Sequence, residues 1–134
     1  MKYLFLNLMI FVALYSNAQI TGDQITADEI KKGLAGKDWK IIKYELFGVD
    51  TAPTAEQASD FFSLKADMTF VVKENGKEYK GKWSILKPVV YITCKAATGG
   101  WSKTYKVISI GEKVSIIEYK DPDLIKTKYH LEVK

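Results

Sequence analysis

The chain has 134 residues and a formal charge of +4, and its 20 basic residues are all lysine. Without arginine it lacks the side chain that reads carboxylate, phosphate and guanine edges bidentately, which argues against dedicated nucleic-acid or phosphate recognition. Its one cysteine, Cys94, excludes an internal disulfide, so a hydrophobic core must hold the fold.

Lys2 is followed by an apolar run through Leu14 and then by Ser16-Asn17-Ala18, a small-x-small step. Met1 to Ala18 therefore reads as a secretory signal peptide cut before Gln19. The expected location is exported, either periplasmic or secreted, with no transmembrane span after cleavage. Cys94 lies far from the cleavage step, so no lipid anchor is expected. Residues 19–134 have the length of one domain.

In chain order, Thr26-Ala27-Asp28-Glu29 has the form of a capping box. Ile30 and Leu34 share a helical face and Gly36 supplies a stop, which predicts a short helix over about 26–35. The first strand is predicted over Trp39 to Phe47. Its alternation changes phase, because Trp39 and Ile41 share a parity with Lys43 and Glu45, so a bulge near Ile41 and Ile42 is expected. Gly48 to Asp60 reads as one long connection, with a helical turn over Pro53 to Ala58, and suggests a lid over an opening.

The stretch from Phe61 to Ile85 carries the clearest pattern. Phe62 and Leu64 alternate with Ser63 and Lys65, Phe70 and Val72 with Val71 and Lys73, and Tyr79, Gly81, Trp83 and Ile85 with Lys80, Lys82 and Ser84, at the period of half-buried strands. Asn75-Gly76 joins the second and third of these as a two-residue hairpin turn. Further strands are predicted over Val89 to Ala96, Trp101 to Ile110, Lys113 to Lys120 and Leu124 to Val133. They are separated by Thr98-Gly99-Gly100, Gly111-Glu112 and Asp121-Pro122-Asp123. Eight strands joined mostly by short turns predict an all-β, up-and-down antiparallel barrel, since closure alone removes exposed sheet edges. Lysine on one strand face and aromatic or branched residues on the other place the apolar face inward. A barrel spanning an outer membrane would show the reverse.

Three short patterns carry a family resemblance: Leu34-x-Gly36-x-x-Trp39-Lys40, Phe62-x-Leu64-x-x-Asp67-Met68-Thr69-Phe70, and Gly81-x-Trp83. With them the chain resembles the lipocalin-like proteins of the calycin group, especially the small secreted lipocalin-like domains of Bacteroidetes. The resemblance covers roughly Leu34 to the C-terminus. It implies a barrel that binds small, mostly apolar molecules or serves as a protein-binding scaffold. Two departures stand out: the first glycine and tryptophan are spread over Gly36-Lys37-Asp38-Trp39, and Met68 occupies a turn position where glycine is expected, asking a side chain to adopt positive φ.

No catalytic constellation is visible, so an enzyme is not expected. His130, the only histidine, shares a strand face with Lys126, Lys128 and Glu132 and should sit outside the barrel in solvent. It cannot combine with Cys94 into a catalytic pair or a zinc set, and no metal or cofactor is expected. Cys94 reads as a small buried hydrophobe. Glu118 reads as outward if Ser115, Ile117 and Tyr119 face the lumen.

The candidate ligand-binding residues are Tyr44, Leu46, Phe62, Leu64, Phe70, Val72, Tyr79, Trp83, Ile92 and Tyr129 inside the barrel, with Trp101 at the rim. Eight strands leave an interior that is either filled or able to hold one small ligand. A secreted, monomeric binding protein for a small hydrophobic molecule is the expected function. The alternative is a protein-protein interaction or inhibitor module of the cell envelope, using the loop rim toward an envelope protein partner.

Overall fold

The computed structural model describes residues 19–134, so the segment read as a signal peptide, Met1 to Ala18, lies outside the described residues. A short strand, β1 (Ile20–Thr21), precedes a helical segment, α1 (Ala27–Glu29), that continues through Ile30–Leu34. The remaining strands are β2 (Asp38–Leu46), β3 (Val49–Thr51), β4 (Phe61–Leu64), β5 (Thr69–Glu74), β6 (Lys77–Ile85), β7 (Tyr91–Ala96), β8 (Ser102–Ile110), β9 (Val114–Lys120) and β10 (Lys126–Val133).

Each barrel strand pairs antiparallel with its neighbour in sequence, from β2 through β4 to β10. The circuit closes where Val133 to Thr127 of β10 lie against Trp39 to Leu46 of β2. This is the expected eight-stranded up-and-down barrel, and closure leaves the barrel strands no free edge. Among the described residues no helix is long and apolar enough to cross a membrane.

The phase change in the first strand has the expected cause. His130 pairs with Lys43 but Leu131 pairs with Ile41, so Ile42 is an extra residue on β2. The bulge lets both Trp39 and Ile41 below it and Tyr44 above it point inward, and all three are buried. A second irregularity on β8, between Val107 and Ser109, works in the same way against β9.

One end of the barrel is a floor. Thr26 Oγ1 accepts from the amide of Glu29, as the capping box requires, and the helical segment ends with the Ala35 amide donating to the Ile30 carbonyl, an i→i−5 bond. Ile30 and Leu34 are fully buried against the barrel bottom. The two floor tryptophans are tied to it: Trp39 Nε1 donates to the Leu34 carbonyl at 2.8 Å and Trp83 Nε1 to the Lys65 carbonyl at 2.9 Å. Met68 adopts φ 67, the left-handed conformation its turn demands. Position 81 is glycine for a steric reason, since a Cβ there would meet the Lys95 carbonyl oxygen at 2.0 Å.

Several boundaries depart from the sequence reading. The segment Gly48 to Asp60 is not all loop: Phe47 and Gly48, at φ 50 and 75, make a tight turn, and β3 folds back on β2 with Val49 opposite Leu46. Phe47 thus belongs to a turn and not to the first strand. Strand β7 starts at Tyr91 instead of Val89, because the Tyr91 amide is held in a turn by the Pro88 carbonyl. Strand β10 starts at Lys126 instead of Leu124, because the Asp121 carboxylate accepts from the amides of Asp123 and Ile125 and prolongs the turn. The polar leader also contributes β1, paired on Ser109 and Ile110.

Candidate functional site

The candidate lining residues fall into three groups. Phe62, Leu64, Phe70, Val72, Trp83 and Ile92 are each at most 2% exposed and pack together as the lower and middle core. Tyr44 and Tyr129, in the upper half, are buried and meet edge to face with ring centres 5.5 Å apart. Tyr79 and Trp101 reach the open rim and stack at 4.5 Å with an interplanar angle of 11°. Leu46 is half-buried at the end of β2, where it pairs with Thr127 and Val49.

The deep interior is filled. The free space between Ile41, Phe62, Val72, Ile117 and the rings of Tyr105 and Tyr129, below Glu74, is about 10 Å³. That is room for one water molecule at most.

The rim end is different. A recess of about 550 Å³ opens there, with Tyr79, Trp101, Glu74 and Lys103 on its walls and Glu56, Asn75 and Lys77 at its edge. Glu74 ends β5 and Lys103 is the second residue of β8. Their side chains form an ion pair across the mouth and are only 19% and 13% exposed. The Lys103 ammonium also lies 4.3 Å from the centre of the Tyr119 ring and 3.5 Å from the Tyr129 hydroxyl. A charge this far out of water is tolerated because an opposite charge and a ring face are both in contact with it.

Asp60, the last residue before β4, braces this end. It is fully buried, and its carboxylate accepts from the Tyr44 hydroxyl at 2.9 Å and from the amides of Asn75 and Gly76 at 2.8 and 3.2 Å. The long connection is fastened beside it, where Gln57 Nε2 donates to Asn75 Oδ1 at 2.9 Å. One carboxylate thus joins the wall, the β5–β6 turn and the base of the connection that borders the recess.

Burial raises the hydroxyl pKa values of Tyr44, Tyr105 and Tyr129 well above the ordinary tyrosine value; for Tyr44 the bond to Asp60 adds to the effect. These hydroxyls stay neutral at physiological pH and serve as hydrogen-bonding groups. The thiol of Cys94, raised by burial, is likewise held as an inert hydrophobe.

Glu74, Lys103, Tyr105, Tyr119 and Asp60 were not among the sequence candidates. The strand parity held the signal for most of them: Glu74 continues Phe70 and Val72, while Lys103 and Tyr105 continue Trp101 toward Val107. The lysine-out rule hid Lys103, which is an inward exception. Glu118 points outward as expected, since Ser115 and Ile117 are buried and Glu118 borders an outer-wall groove with Lys106 and Lys126. His130 is outside the barrel but not in solvent. Its side chain is 15% exposed on the outer wall, beside Glu45 and Asp50 and between Lys43 of β2 and Ile116 of β9 in register.

No protein-family model, no curated protein and no solved structure matches this chain.

Proposed function

We propose that this is a non-catalytic binding protein that takes a small amphipathic molecule into the rim recess, its planar or apolar part against Tyr79 and Trp101 and its polar part at Glu74 and Lys103. The observation that carries this reading is the contrast between a recess of about 550 Å³ and a deep interior with about 10 Å³ free. The recess lies within the usual size of a small-molecule site, whereas the interior accepts no ligand without repacking. A hydrophobic ligand therefore seats in the upper barrel, above Phe70 and Tyr105. The two charged side chains on its walls, Glu74 and Lys103, are already paired with each other, which favours holding a ligand over reacting with it.

The reading includes export, on the strength of the Met1 to Ala18 pattern, and a monomer. A second reading rests on a separate observation. Phe47, Val49 and Leu124 are 82%, 64% and 71% exposed beside the same rim, the kind of apolar tips that a protein partner of the cell envelope would cover.

The test is a fluorescence titration with anilinonaphthalene sulfonate, retinoate, palmitate and protoporphyrin IX. Saturable binding of at least one is expected, weakened tenfold or more by Trp101→Leu and by the charge-balanced pair Glu74→Gln with Lys103→Met. Saturation that is indifferent to both variants, or none with any probe, rejects the recess as the site.

A further inference from the structure

Away from the recess, the outer wall gathers three potential donors from three strands. The register of the β2–β3 hairpin sets Asp50 opposite Glu45, and that of β2 with β10 sets His130 opposite Lys43. One donor atom each of Glu45, Asp50 and His130 lies within 4.8 Å of the other two. His130 Nε2 is buried with no hydrogen-bond partner, its nearest carboxylate oxygen, on Glu45, being 3.9 Å away. That distance is too long for a hydrogen bond, and a buried imidazole nitrogen left unpaired is a cost that needs a compensating ligand.

We propose that Glu45, Asp50 and His130 form a binding site for one divalent first-row transition-metal ion of the Zn2+ kind. Metal–donor bonds of about 2.0–2.2 Å put donors roughly 3.3 Å apart, so the longest edge of the triangle, up to 4.8 Å, must contract by up to about 1.5 Å. The carboxylates can supply that movement, since the Asp50 side chain is 51% exposed and Glu45 24%. One imidazole with two carboxylates suits Zn2+, whereas Mg2+ and Ca2+ favour all-oxygen sets. Three protein donors also leave a coordination position open to water.

Two lysines hold the charge of the site in the metal-free protein. Lys43 Nζ is 3.1 Å from Asp50 and Lys128 Nζ 3.5 Å from Glu45. Their side chains are 37% and 38% exposed, so both ammonium groups can swing into water when an ion displaces them.

Because the chain has one histidine, its imidazole nitrogens give unambiguous NMR signals. Untagged protein is titrated with ZnCl2 and with MgCl2. One equivalent of Zn2+ is expected to shift the His130 Nε2 resonance to a saturating value, with no response to Mg2+. Calorimetry should show binding weakened at least tenfold by Asp50→Asn and by His130→Gln, and tightened severalfold by Lys43→Gln. Asp50→Asn changes only a surface side chain, so its loss of binding cannot be ascribed to misfolding. An unmoved Nε2 resonance, or Zn2+ binding unaffected by Asp50→Asn, overturns the site.

Discussion

At the residue scale, Asp60 and His130 are the side chains whose environments say most. Asp60 satisfies the Tyr44 hydroxyl and two turn amides at once. Tyr44→Phe removes one of three donors and is expected to cost about 1–3 kcal/mol in urea unfolding. Asp60→Ala takes the acceptor from the buried Tyr44 hydroxyl and from two part-buried turn amides and should cost more; equal costs for the two would mean that the turn amides find other partners. His130 has its pKa lowered, first by burial and then by Lys43, while Glu45 and Asp50 pull the other way and Lys128 adds to the lowering. The unfolded chain therefore binds a proton, near pH 6.5, more readily than the folded one. Stability is complete above that value and falls as pH drops through the folded-state pKa. Melting temperatures between pH 7.5 and 5 should show this decline, and His130→Gln should flatten it; parallel profiles would contradict the assignment.

At the scale of elements, the floor depends on a helical segment too short to persist alone. Its cap and its anchors can be separated experimentally. Thr26→Ala should cost about 1 kcal/mol, the loss of one capping bond. Leu34→Ala should cost about 2–5 kcal/mol, because Leu34 is fully buried beneath the barrel. Reversal of that order would mean that the segment is held by its own cap and not by docking.

Elements with a strict period were legible from the sequence. The Phe62, Leu64, Phe70 and Val72 series, the Asn75-Gly76 turn and the bulge at Ile42 all follow from which faces must be buried. The β3 hairpin was not legible, because its turn places Phe47, a bulky aromatic, at φ 50 where Asn or Gly is the usual residue. Without β3, Asp50 falls in a loop and His130 looks like a lone solvated side chain. At the recess, alternation identified Tyr79 as inward but could not say that the rings below would interlock. Whether inward aromatics leave room is decided by side-chain packing across the barrel, which periodicity along one strand does not encode.

For the whole molecule, the division between a filled lower barrel and an open rim decides where a ligand can sit. Three tryptophans mark the two ends: Trp39 and Trp83 are bonded to the floor, and Trp101 stacks in the mouth. Their indole N–H groups give three cross-peaks in a nitrogen–proton correlation spectrum. Titration with whichever fluorescence probe saturates should move the Trp101 cross-peak while leaving those of Trp39 and Trp83 in place. Movement of the two floor indoles with Trp101 unmoved would put the ligand in the deep interior and contradict the rim site.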